Sequence, residues 1–192
     1  MLIRRFVMLL VAALAMPAWA VLEAGAVAPR FEARASRAGE AFDFSLAQAL
    51  GRGTVVVYFY PSAYTRGCNL QAREFALNLE KFQAAGASVI GISLDSIERL
   101  NDFSSDPEYC AGKLPVASDP DGKIARAYGL AVAEARPGMR DTRGFEIGHG
   151  FAERTTFIVA PDGRIAETIG GVSPAENVQL SLQAVRRLAA AD

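Results

Sequence analysis

From Val55 to Tyr60 the chain reads VVVYFY, a run of β-branched and aromatic residues that Pro61 stops. With Thr54 in front, it predicts a buried strand over 54–60. Beyond a short polar loop the spacing changes. Phe75, Ala76, Leu79 and Phe82 recur at helical intervals, and Gly86 stands where a helix would close, which predicts a helix over 68–85. Ser88 to Leu94 (SVIGISL) reads as a second buried strand, followed by a helix from about Ser96 to Phe103 and a short strand over Leu114 to Ala117. Asp119-Pro120-Asp121-Gly122 predicts a turn leading into a helix that ends near Tyr128. Thr155 to Ala160 and Arg164 to Gly170 flank Pro161-Asp162-Gly163, the signature of a hairpin. Ser173-Pro174-Ala175-Glu176 combines a capping box with proline at the first helical position. It starts a last helix whose apolar face is expected at Val178, Leu182, Val185 and Leu188. Residues 21–53 form a lead-in with a hairpin turn at Ala38-Gly39.

Strands that alternate with helices and finish in a hairpin and a helix predict an α/β fold. The expected form is a mixed central sheet flanked by helices on both faces. No repeats, low-complexity tracts or long linkers divide the chain.

The first 20 residues follow another rule. Arg4 and Arg5 precede an apolar run from Phe6 to Met16, and Ala18-Trp19-Ala20 offers a small-x-small cleavage site. This pattern predicts a signal peptide over 1–20 and a single domain over 21–192. The run is short for a membrane span, so contact with a membrane is expected only if the segment stays uncleaved. The arginine pair also fits the twin-arginine route, but ordinary secretion is the simpler reading. An exported protein of a Gram-negative cell would reside in the oxidising periplasm. Removing the leader takes two of the 20 basic side chains and none of the 21 acidic ones. The mildly acidic, unclustered balance that remains argues against nucleic acid as a partner.

Candidate chemistry centres on Cys68. A core strand delivers it to the first turn of a helix, where unpaired backbone N–H groups and the positive end of the dipole favour an ionised sulfur. The second cysteine, Cys110, lies in SDPEYCAGK, just past the next helix. In an exported domain the two could form a permanent staple or the two ends of a catalytic cycle, and a free thiol is the remaining alternative. The lone histidine, His149, has no partners for a metal site, and a loop or packing role is expected.

Pro61, Thr65 and Cys68 reproduce a proline-x-x-x-threonine-x-x-cysteine pattern. Together with YFYP and Glu153-Arg154-Thr155-Thr156-Phe157, they make the chain resemble peroxiredoxins of the bacterioferritin-comigratory-protein, or Q-type, branch. The resemblance runs from about Ala24 to the C-terminus. It implies a thioredoxin-like fold and a thiol-dependent peroxidase, acting on hydrogen peroxide or small organic hydroperoxides through a cysteine sulfenic acid, with no cofactor. By resemblance, Cys68 attacks the peroxide, the Thr65 hydroxyl holds sulfur and substrate, Arg154 presents fixed charge, and Pro61 keeps out water. The backbone N–H groups of Gly67 and Cys68 would face the peroxide. A thiol or a thioredoxin-like dithiol protein would be the reductant, and the protein a monomer or homodimer.

Three positions depart from the branch. Gln71 stands where glutamate is frequent, and its neutral amide can still bond to the backbone. Arg66 replaces a common proline and reads as a solvated loop residue. Arg73 occupies the place of the frequent local resolving cysteine, which leaves Cys110 as the candidate for that role. Gln71 also removes the Cys-x-x-Cys that a thiol–disulfide oxidoreductase needs, and Ala72 removes the pair that a copper carrier needs. A non-catalytic or redox-sensing thioredoxin-fold protein with a structural disulfide is the alternative that survives.

Overall fold

The computed structural model describes residues 20–191, so the expected leader lies outside the described residues except for Ala20. One mixed sheet organises the chain. Its strands are β1 (Glu32–Arg37), β2 (Glu40–Ser45), β3 (Thr54–Phe59), β4 (Ala87–Ser93), β5 (Val116–Ser118), β8 (Thr155–Val159) and β9 (Ile165–Gly170). They lie in the order β2-β1-β5-β4-β3-β8-β9. β3, β4 and β5 run parallel, while β8 pairs antiparallel with both β3 and β9. The hairpin expected at Ala38-Gly39 joins β1 to β2, with both residues at positive φ, 53° and 84°. That is the twist two-residue hairpins select.

Every residue of β3 is buried, and its side chains alternate between two apolar clusters. Val56 and Tyr58 face α2 (Arg66–Ala84), α3 (Ile97–Ser105) and α5 (Pro174–Ala189), where Phe75, Phe82, Phe103 and Val185 meet them. Val55, Val57 and Phe59 face α1 (Leu46–Leu50) and α4 (Lys123–Ala127), against Leu46, Ala125 and Tyr128. This two-sided burial is why β3 reads as a continuous apolar run. Tyr58 needs a glycine opposite it. A Cβ on Gly91 of β4 would sit 2.5 Å from the phenol, so only Gly91 leaves room for that ring to stack on Phe75 at 4.4 Å.

The structure differs from the sequence expectation in three places. α1 and a two-stranded ribbon, β6 (Val132–Ala133) with β7 (Phe151–Ala152), were not anticipated, being too short to carry a period. α5 is capped by Ser173 as expected, its hydroxyl accepting from the Glu176 N–H at 3.3 Å. Its buried face, however, holds Asn177 and Ser181 beside Val178, Ala184 and Val185, while Leu182 and Leu188 are only half-buried. No helix among the described residues is long and apolar enough to cross a membrane.

Candidate active site around Cys68

β3 ends at Phe59, and the turn Tyr60–Thr65 reverses the chain into α2, placing Cys68 in its first turn. The first intrahelical bond runs from the Asn69 N–H to the Thr65 carbonyl at 2.8 Å, and Thr65 makes no side-chain cap. The amides of Arg66, Gly67 and Cys68 therefore have no helical acceptor, and no acidic side chain occupies the first turn. Cys68 is 2% exposed. Its sulfur is nevertheless not walled off from charge.

The antiparallel register explains this. Tyr58 pairs with Thr156 and Phe59 with Thr155, so the start of β8 lies beside the end of β3. Arg154, one residue before β8, reaches the sulfur from there, its Nη2 donating to Cys68 Sγ at 3.3 Å. Nη1 donates to Gln71 Oε1. Gln71 Nε2 then donates to Asn177 Oδ1 at 2.9 Å, and the Thr156 hydroxyl donates to the same oxygen at 2.6 Å. Asn177 Nδ2 closes the chain on the Ile169 carbonyl at 3.1 Å. Gln71, Thr156 and Asn177 are buried, so α2, β8 and α5 jointly fix the plane of the guanidinium. Asn177 is the member that sequence reasoning missed, and Gln71 bonds to side chains rather than to the backbone.

The Thr65 hydroxyl donates to the Ser62 carbonyl at 2.9 Å rather than to the sulfur. Its proton is committed, and its oxygen is left to accept. Pro61 is half-buried where the strand exits, and Arg66 is exposed. Gly67 lies against the guanidinium.

Cys110 sits in the turn between α3 and β5, fully buried in the same apolar cluster as Cys68. Burial first, then the charge of Asp106, push its thiol well above the ordinary range. Both cysteines are free thiols. Tyr58 and Tyr60 belong to this cluster, and their hydroxyls are buried without a partner among the described residues. His149 is not a simple packing residue. Its Nε2 lies 2.8 Å from Asp95 Oδ1, beneath the turn that carries Pro61 and Thr65.

The AhpC/TSA family matches residues 24–168. A putative peroxiredoxin of Mycobacterium tuberculosis is 40% identical over 121 residues, 63% of this chain and 69% of that one. Peroxiredoxin Bcp of Escherichia coli is 31% identical over 144 residues, 75% of this chain and 83% of that one. Among solved structures, peroxidoxin BcpB of Mycobacterium tuberculosis superposes with a TM-score of 0.71 at 26% identity, covering 87% of this chain and 98% of that one. Xanthomonas campestris peroxiredoxin Q gives 0.66 at 25% identity, covering 83% and 91%. The thioredoxin-like fold expected from the sequence is the fold of these neighbours.

Proposed function

The chain belongs to the AhpC/TSA family, as a peroxiredoxin of the bacterioferritin-comigratory type, and on that premise we propose which of its residues perform the reaction. It is a thiol-dependent peroxidase. In our reading Cys68 attacks the peroxide. The observation that carries this is the 3.3 Å contact from Arg154 to a sulfur at an uncapped helix N-terminus. The ionised sulfur attacks one oxygen of hydrogen peroxide or a small hydroperoxide. An S–O bond forms as the O–O bond breaks, and the sulfur gives up two electrons. The other oxygen leaves as hydroxide or alkoxide, takes a proton from water, and Cys68 remains as a sulfenic acid.

Each neighbour has a distinct task. Arg154 holds fixed positive charge against sulfur and substrate, and its second nitrogen is anchored on Gln71. The free amides of Gly67 and Cys68 face the growing negative charge on the leaving oxygen. Thr65, its proton committed to Ser62, accepts the O–H of the incoming peroxide. Pro61 shields the sulfur from bulk water. For thiols in general, nucleophilicity falls as acidity rises, so positioning rather than ionisation supplies most of the rate.

Cys110 resolves the sulfenic acid. Its sulfur attacks Cys68, an S–S bond forms and water leaves. Because Cys110 is wholly buried, this step needs local opening of its turn or of the first turn of α2. A thioredoxin-like dithiol protein then restores both thiols and departs with its own disulfide. We also propose export to the periplasm, supported by the pattern of residues 1–20. The test is the mass of protein recovered from that compartment, expected to begin at Val21.

The test of the chemistry is peroxide consumption by wild type, Cys68→Ser and Cys110→Ser. Each is assayed with a small thiol and with a dithiol protein. Full activity in Cys68→Ser would overturn the assignment. Cys110→Ser is expected to turn over with the small thiol and fail with the dithiol protein. If it works equally with both, the enzyme is a single-cysteine peroxidase.

A further inference from the structure

The turn that carries Pro61 and Thr65 is gripped from beneath by charged groups that take no part in the chemistry above. Asp95, just past β4, is fully buried and receives five side-chain or backbone donors. Oδ1 accepts from His149 Nε2 and Arg99 Nε, both at 2.8 Å, and from the Ser62 hydroxyl at 3.0 Å. Oδ2 accepts from the Ala63 N–H and the Ser93 hydroxyl, both at 2.7 Å. Ser62 and Ala63 stand between Pro61 and Tyr64, so the carboxylate holds the turn directly.

The turn needs holding. Tyr64 has φ +60°, a left-handed conformation that a bulky side chain adopts only when its surroundings impose it. Its carbonyl accepts both the N–H and the hydroxyl of Thr142 at 2.8 Å, and the Arg143 guanidinium lies 3.2 Å over its ring. The Ser62 carbonyl in turn fixes the Thr65 hydroxyl. Movement at Ser62 or Ala63 is therefore movement of the Thr65 hydroxyl, one turn before Cys68.

His149 faces acceptors on both sides, the Gly150 carbonyl 2.7 Å from Nδ1 and Asp95 Oδ1 2.8 Å from Nε2. A neutral imidazole carries one N–H and would turn a lone pair on one of them. Only the doubly protonated ring satisfies both contacts.

We propose that His149, acting through Asp95, is a positioning residue for peroxide reduction, its protonated ring keeping the Pro61–Thr65 turn in the geometry that serves Cys68. The proposal rests on the peroxidase reading and adds to it a charge that never touches the sulfur. The other charged groups near the ring are Arg99 of α3, tied to Asp141 at 2.8 Å, Arg143 beyond Asp141, and Glu146, which shares a surface groove with His149. Burial opposes the ring's charge. The hydrogen bond and charge of Asp95, with the Gly150 carbonyl, outweigh it and move the titration above the ordinary 6.5. As pH rises beyond that value the ring discharges and the grip loosens.

The test compares the rate constant of peroxide reduction in wild type and His149→Gln from pH 5 to 9. The amide can still donate to Asp95 but carries no charge. Taking the variant-to-wild-type ratio at each pH cancels titrations common to both. The ratio is expected near one-tenth at acid pH, about the scale of a small misplacement, rising toward one as wild-type His149 discharges. A ratio that stays flat, at any level, overturns the proposal. In parallel, the Ala63 amide resonance should titrate with the His149 ring in wild type and stay still in His149→Gln. An Ala63 resonance that ignores pH in wild type also overturns it. A wild type that consumes no peroxide would sink the peroxidase reading instead, while the Ala63 titration still decides whether His149 governs the turn.

Discussion

A Cβ added to Gly67 would lie 3.2 Å from Nη2 of Arg154, the nitrogen that donates to Cys68. Gly67 is helical, so alanine costs no backbone strain there, and the Pro174 side chain at 3.5 Å tolerates it. The guanidinium must give way by a few tenths of an ångström. Gly67→Ala is therefore expected to leave thermal stability within about 1 kcal/mol of wild type. Peroxide reduction, followed by stopped flow, should slow roughly 3- to 10-fold.

Gln71 and Asn177 form a matched pair of amides. Asn177 Oδ1 already takes protons from Gln71 Nε2 and the Thr156 hydroxyl, and its Nδ2 is committed to the Ile169 carbonyl. Gln71→Glu, which installs the side chain frequent in the Q-type branch, turns an acceptor on that oxygen in a buried site. Despite the added attraction to Arg154, the variant should lose about 1–3 kcal/mol in urea unfolding. An unchanged midpoint would show that Asn177 reorients at no cost.

The Asp95–His149 pair gives stability a defined pH window. For Asp95 burial opposes the charge, but His149, the Ala63 N–H and the Ser93 hydroxyl outweigh it and lower its titration below 3.8. Its contribution is present above that value and is lost as pH falls. His149 is shifted upward from 6.5, so its contribution is full below that value and is lost as pH rises. Urea midpoints of wild type minus those of His149→Gln should therefore peak between pH 3.8 and 6.5. A difference that grows toward alkaline pH would contradict the assigned charge.

Cys110 should be chemically silent in the reduced protein. With its thiol pushed up by burial, iodoacetamide at neutral pH is expected to label Cys68 first and to reach Cys110 only in urea, read by peptide mass. The same shift has a consequence for stability. The folded thiol keeps its proton where the unfolded one, near 9.0, loses it, so this contribution holds below pH 9 and declines above. Cys110→Ala should flatten that alkaline decline.

How much of this was legible in the chain varies with range. β3 and β4 are marked by unbroken apolar runs and α2 and α5 by helical spacing, and their observed limits moved by only a residue or two from the expected ones. Cys68 at a helix start follows from that local reading alone. Its meeting with Arg154 does not, because it depends on β8 pairing with β3, and only the likeness to a family anticipated it. Asn177 was invisible for a plainer reason. A polar residue on an amphipathic helix reads as solvent-facing until its partners are known, and Gln71 lies 106 positions away. His149 looked solitary because Asp95, 54 positions earlier, is an ordinary acid after a strand.

The pairing of Tyr58 with Thr156 makes the reaction sensitive to counting. Side chains alternate along a strand, so one extra residue inserted between Arg154 and Thr155 would send the guanidinium to the opposite side of the sheet. Every chemical group would still be encoded, yet the sulfur would face no cation. Length variation among descendants of this chain should accordingly collect in the 134–148 loop and stop short of Glu153.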